Sequence, residues 1–168
     1  VVGVILRAKI PEELRPDEQA MSAAAEALVA TFVELHNINY EAIGLGGIGK
    51  PDGYVERQIS GWTKRYFNAK TDEVPQIERA AVWLAGHLPA EGKPALLHND
   101  FKYDNLVFQS TVRSPQSVVV QAVLDWEMAT IGDPLMDLGA TLGYWVNPDD
   151  PPFLKLLQLG PTTLPGNP

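Results

Sequence analysis

The 168-residue chain contains no cysteine, so it can form no disulfide framework and can use no thiolate as nucleophile or metal ligand. No apolar run approaches the roughly 20 residues that span a bilayer, and the first residues lack the basic stretch and small-residue cleavage site of a secretory leader. Basic side chains are few. Thirteen Lys and Arg stand against twenty-one Asp and Glu, a formal charge of −8, and the lysines do not cluster, so a phosphate backbone would be repelled. Neither a nucleic-acid nor a membrane partner is expected. There is no internal repeat and no low-complexity tract. With 45% hydrophobic residues, what remains is the composition of one soluble domain with a sizeable core, for which the cytoplasm is the expected compartment.

Along the chain, Val1 to Leu6 reads as a strand, and Pro11 and Pro16 punctuate a turn. From about Asp17 to His36, apolar residues at Met21, Ala24, Leu28, Phe32 and Leu35 recur at helical spacing with one buried face. A Gly-rich loop from Gly44 to Gly53 precedes a predicted helix over Tyr54 to Tyr66, with Val55, Ile59 and Trp62 on one side. Another is predicted from Pro75 to Leu88, where Ile77, Ala81, Leu84 and Leu88 share a face and Pro89 ends it. The period then changes. Ala95-Leu96-Leu97, Asn105 to Phe108 and the β-branched run Ser117 to Trp126 are predicted strands, with the polar turn QSTVRSPQ between the last two. At Asp133-Pro134 a helix begins again, the aspartate as N-cap and the proline at the first helical position, with Leu135, Leu138, Leu142 and Trp145 as its buried stripe. Trp62, Trp83, Trp126 and Trp145 are expected in the core.

Residues 44 to 49, GLGGIG, match the dinucleotide-binding pattern G-x-G-x-x-G letter for letter. Their context does not. They follow a predicted helix rather than a strand and lead into KPDGY rather than a helix, so they read as a helix-to-helix loop.

The chemistry concentrates in LLHNDFKYDNLVF, residues 96 to 108, where two apolar runs enclose His98-x-Asp100-x-x-x-x-Asn105. At the end of the next β-rich run stands Asp125-Trp126-Glu127. A carboxylate and an amide carbonyl on one loop, with a second carboxylate on the adjacent strand end, suit a hard cation such as Mg²⁺, which prefers oxygen ligands. A further aspartate then remains for the reacting group. Phosphoryl transfer uses such parts: a cation to neutralise phosphates and a carboxylate to orient the attacking hydroxyl and accept its proton.

HNDFKYDN followed by VLDWEMATIGDPLMDLG resembles the catalytic and metal-binding loops of the aminoglycoside phosphotransferase and choline kinase-like superfamily, relatives of the protein kinases. GLGGIGKPDGYVERQISGW is similar to the subgroup that includes the kinase-like domain fused to some acyl-CoA dehydrogenases. The resemblance implies an α+β, protein kinase-like fold, mainly its helix-rich C-terminal lobe, with a small β-hairpin region carrying both loops. It implies ATP and Mg²⁺ as cofactors and a small hydroxylated molecule as acceptor: an aminoglycoside, a choline-like alcohol, a sugar or a hydroxyacyl-CoA, with the subgroup favouring the last. Matched position by position, Asp100 falls at the catalytic aspartate, Asn105 and Asp125 at the metal and nucleotide ligands, and Lys102 at a lysine that contacts phosphate. His98 joins the catalytic set as a brace of the loop. Asp133 and Asp137 match the family's G-D-P-x-x-D, one as a helix cap and the other tying that helix to the catalytic loop. Asn99 stands where many members have glycine, and asparagine tolerates positive φ better than most residues. Asp125-Trp126-Glu127 replaces the D-F-G of protein kinases, so no kinase-style activation switch is inferred.

Plainer readings exist for several of these residues. Lys102 also fits a surface lysine, Asp104 a loop acceptor, and Glu127 either a group behind the site or a solvated acid. By the same resemblance the chain is one kinase-like lobe over 1–168, with residues 1–7 leaving the hinge, an N-terminal nucleotide-binding lobe and a C-terminal end absent, and the isolated piece inactive. Two other functions compete with phosphotransfer. One is a pseudokinase-like binding or regulatory module; the other is a metal-dependent hydrolase using His98, Asp100 and Asp125 around a transition metal.

Overall fold

The computed structural model describes residues 3–10, 15–109 and 118–168. Val1 and Val2 of the opening strand, Pro11 of the first turn, most of the polar turn QSTVRSPQ, and Ser117 lie outside the described residues. Helix α1, Glu18–His36, follows the predicted pattern. The Asp17 side chain accepts the Ala20 N–H at 2.8 Å as its N-cap, and Ala20, Met21, Ala24, Leu28, Phe32 and Leu35 form its buried stripe. The Gly-rich run then connects α1 to α2, Tyr54–Ala69, through a series of turns, as expected. Gly49 lies so close to a later strand that a Cβ there would sit 2.4 Å from the Ile131 backbone nitrogen. This glycine serves close approach of two backbones rather than a phosphate cradle.

Helices α2 and α3, Pro75–Gly86, form a pair joined at Lys70, whose ammonium reaches Glu73 at 3.0 Å and Glu78 at 2.8 Å. Here the expected core differs. Tyr54 is the only buried residue of α2, α3 has none, and Trp62 and Trp83 are 57% and 59% exposed. The pair packs mainly on itself, meeting the rest of the described chain through Tyr54 and Val55, which cluster with Ala95, Leu97 and Met136. Its aromatic rings find local partners instead. Trp62 lies under the Arg65 guanidinium at 4.7 Å and Trp83 stacks on His87 at 4.3 Å. Trp126 is also exposed, and only Trp145 packs against the core.

Four short strands follow. Strand β1, Ala95–Leu97, pairs antiparallel with β4, Thr130–Gly132, and β2, Leu106–Phe108, pairs antiparallel with β3, Val120–Val123, with a register irregularity at Val107 and Phe108. Val4 extends the second pair by exchanging two 2.8 Å backbone hydrogen bonds with Phe108. Among its described residues the β-branched run is strand only over Val120–Val123, and β4 has no counterpart in the sequence reading: three residues are too few for a period to show. Leu96, Leu106, Phe108 and Ile131 from these strands join Leu6, the α1 stripe and Phe101 in one core.

Helix α4, Pro134–Gly143, begins as predicted, with Asp133 accepting the Leu135 N–H at 2.8 Å and Pro134 in the first turn. Its buried side is not the predicted one. Leu135, Leu138 and Leu142 are 67%, 39% and 58% exposed, whereas Asp137 and Thr141 are buried. Asp137 sets this rotation. Its carboxylate is fully buried and takes three donors from α1 and the loop that follows β1, which turns the leucine face outward. A one-helical-turn piece, α5, covers Pro152–Lys155. Among the described residues no helix is long and apolar enough to cross a membrane.

This orientation of α4 makes a differential prediction. Asp137→Ala leaves three donors without their buried acceptor and is expected to destabilise the chain by about 3 kcal/mol or more, while Leu142→Gln is expected to stay within about 0.5 kcal/mol. Urea unfolding of both variants compares them; a larger loss for Leu142→Gln would contradict the helix rotation.

Candidate active site

The loop between β1 and β2 alternates. Phe101, Tyr103 and Asn105 turn into the protein, while Asp100, Lys102 and Asp104 remain partly exposed. Phe101 packs on Phe32 of α1 at 4.6 Å, and Tyr103 packs on Phe108 and Trp145 and donates its hydroxyl to Asn167 at 2.8 Å. This alternation is why a polar stretch sits between two buried runs: every second residue anchors it.

The start of the loop is held from behind by Asp137. Its Oδ2 accepts the His98 N–H at 2.8 Å and the His36 Nε2–H at 3.0 Å, and its Oδ1 accepts the Asn99 N–H at 2.8 Å. Asn99 has φ +63°, in line with the tolerance expected of asparagine there. Its side chain does what glycine could not, donating to the Met128 carbonyl at 2.9 Å and accepting the Tyr54 hydroxyl at 3.3 Å. His98 is buried with both ring nitrogens engaged. Nε2–H donates to the Leu124 carbonyl at 2.8 Å, and Nδ1 accepts the Asp100 N–H at 3.2 Å, a pattern that fixes the neutral Nε2–H tautomer. It braces the loop against the segment before Asp125 and has no lone pair left for a metal.

Asp100 lies at the focus. Its Oδ2 meets the Lys102 ammonium at 2.5 Å and accepts the Asn105 Nδ2–H at 2.8 Å. The same Asn105 nitrogen also donates to the Asp100 carbonyl at 2.8 Å. Burial pushes the Asp100 carboxyl up, but hydrogen bonds from Lys102, Tyr144 and Asn105, with the Lys102 charge, outweigh it and hold the group below its ordinary value. The carboxylate is therefore ionised at neutral pH. Burial, and then the neighbouring Asp100, raise the Tyr144 phenol in turn.

Asp125 is brought alongside through the backbone. The Leu124 N–H donates to the Asn105 carbonyl at 2.8 Å, so Asp125 follows directly on a residue tied to both Asn105 and His98. It adopts φ +65°, its side chain makes no capping bond to the turn Trp126–Met128, and it is exposed. Trp126 closes this turn by donating Nε1–H to Val123 at 2.8 Å and lies 4.9 Å from the His98 ring. With the Asn105 amide nitrogen committed to Asp100, its amide oxygen and the Asp125 carboxylate remain as hard oxygen donors. That donor set fits Mg²⁺ completed by water or phosphate oxygens. Among the described residues no three His, Cys, Asp or Glu side chains group as a metal cluster, and the two engagements of His98 run against a transition-metal hydrolase. Asp104 keeps one carboxyl oxygen buried without a hydrogen-bond partner among the described residues, and Glu127 is exposed.

Two residues of this neighbourhood escaped the sequence reading. His36 reaches Asp137 across 101 positions, for which no local signal exists. Tyr144, the C-cap of α4, places its ring 4.7 Å from the Lys102 ammonium. A signal for it was present, since Asp137, Thr141 and Tyr144 stand at i, i+4 and i+7 and share one helix face.

The chain is similar to known proteins. Mouse acyl-CoA dehydrogenase family member 10 is 35% identical over 154 residues, covering 91% of this chain and 14% of that protein. Human acyl-CoA dehydrogenase family member 11 is 40% identical over 139 residues, covering 82% and 17%. The chain thus spans less than a fifth of these relatives' length. Among solved structures, a Ralstonia eutropha JMP134 protein assigned to the aminoglycoside phosphotransferases superimposes with a TM-score of 0.76 at 34% identity, covering 86% of this chain and 43% of that one. An aminoglycoside-3'-phosphotransferase of type VIII shares the fold at 20% identity and a TM-score of 0.58, covering 94% and 56%. The family described as "Phosphotransferase enzyme family" matches residues 4–165, which takes in the loop between β1 and β2, the Asp125 turn and α4 together. Fold, loop order and relatives converge: the chain belongs to the phosphotransferase enzyme family and has its kinase-like fold.

Proposed function

We propose that this chain is the catalytic lobe of an ATP-dependent small-molecule kinase that moves the terminal phosphoryl group of ATP to an acceptor hydroxyl. The observation that carries this reading is the Asp100 carboxylate, held ionised by Lys102 and Asn105 on a loop whose Asn105 carbonyl is tied to Leu124, the residue before Asp125. Asp100 orients the acceptor hydroxyl and takes its proton as the new O–P bond forms and the bond to the ADP oxygen breaks. Lys102 holds positive charge where the transferring phosphoryl gains negative charge. Asn105 and Asp125 hold Mg²⁺, which when bound neutralises the phosphates. His98 moves no proton; its two hydrogen bonds keep the two loops in register. The acceptor is a hydroxylated small molecule, and the similarity to acyl-CoA dehydrogenase family members favours a hydroxyacyl-CoA over an antibiotic or a choline-like alcohol.

In the full-length protein, an ADP-release assay across aminoglycosides, choline, sugars and hydroxyacyl-CoA compounds should find an accepted substrate. Asp100→Asn should then lower kcat by about 10²-fold or more with an unchanged circular dichroism spectrum, given the usual size of general-base effects. Retained turnover would remove Asp100 from the base role. For the cation site, Asp125→Asn should raise the Mg²⁺ concentration for half-maximal rate by roughly tenfold or more; an unchanged requirement would place the ion elsewhere. MgATP binding without turnover on any acceptor would favour a binding module.

A further inference from the structure

Lys102 raises a question that its neighbours on the loop do not. Its backbone is extended, with φ −161° and ψ 167°, so the side chains of Asp100 and Lys102, two positions apart, fall on one side of the chain. That explains why they meet. It does not explain what holds a four-carbon chain with many rotamers in one place, since contact with a carboxylate alone leaves such a chain much of its freedom. The Lys102 side chain is only 14% exposed, and the second surface that covers its ammonium is the face of the Tyr144 ring, 4.7 Å from Nζ to the centroid. The ring is itself placed by the end of α4. The Tyr144 N–H closes that helix on Thr141 at 3.2 Å, and the next residue, Trp145, packs on Tyr103, the loop neighbour of Lys102.

We propose that the aromatic ring of Tyr144 is a positioning element for phosphoryl transfer, clamping the Lys102 ammonium against Asp100 Oδ2 by a cation–π contact. Helix α4 then grips the loop at two places, through Asp137 at its start and Tyr144 at Lys102. The functional part of this inference rests on the reading of residues 98–105 as a catalytic loop; the clamp itself does not. The ring carries the contact to Lys102 while the hydroxyl bonds Asp100, so phenylalanine should keep the clamp on Lys102 and leucine should not.

Two measurements test this separately. In the 168-residue chain labelled with ¹³C-lysine, the ε-CH₂ resonance of Lys102, assigned with Lys102→Arg, should be displaced by the ring current in the parent and in Tyr144→Phe. It should return to the common lysine position in Tyr144→Leu. A Lys102 signal at the common position in the parent, or one indifferent to Tyr144→Leu, overturns the clamp. In the full-length protein, Tyr144→Phe loses only the hydroxyl that bonds Asp100, and Tyr144→Leu should lower kcat or raise the KM for MgATP roughly tenfold beyond Tyr144→Phe, as cation–π magnitudes imply. Equal rates for Leu and Phe overturn the positioning role. If the parent turns over no acceptor at all, the kinase reading fails while the resonance shift still decides the clamp.

Discussion

A buried carboxylate organises this structure. Asp137 has no exposure, and an isolated ion in that place would cost several kcal/mol, so its position is tenable only because the His98 and Asn99 amides and the His36 imidazole all point at it. Those donors come from α1 and from the end of β1. One side chain therefore fixes the rotation of α4, the docking of α1 and the first turn of the loop that carries Asp100. The cost appears on the opposite face of α4, where three leucines are left outside.

Given that anchor, the loop needs little else to be rigid. Phe101 and Tyr103 bury alternate positions, and the intervening Asp100 and Lys102 are delivered to one side. The two non-glycine residues with positive φ among the described residues, Asn99 and Asp125, sit at the two bends that bring the segments together, and both are types for which that conformation costs little. His98 spans the gap between the bends with one imidazole. The candidate site is thus a product of backbone hydrogen bonding and aromatic packing, with its charged groups held rather than merely adjacent.

Much of this was legible in the sequence, for identifiable reasons. The α1 stripe could be read because its packing is one-sided and periodic, and the caps at Asp17 and Asp133 because capping is local chemistry. His98, Asp100, Asn105 and Asp125 were legible as an ordered pair of loops, and the structure brings His98, Asp100 and Asn105 into direct contact with Asp125 attached through Leu124. Periodicity failed at α4, where leucines at helical spacing suggested a buried stripe and a polar anchor overrode it. It failed again for Trp62, Trp83 and Trp126, since size and apolarity do not say whether a second layer exists to cover a residue. Strand β4 was too short to register, and His36 could not be found because its partner lies 101 positions away.

The most direct test of the central claim is a crystal structure of the full-length protein with Mg²⁺ and a non-hydrolysable ATP analogue. The expected result is a cation coordinated at about 2.1 Å by the Asn105 amide oxygen and an Asp125 carboxylate oxygen, with Asp100 facing the terminal phosphate and bound to no metal. A cation and nucleotide seated away from these three side chains would contradict it.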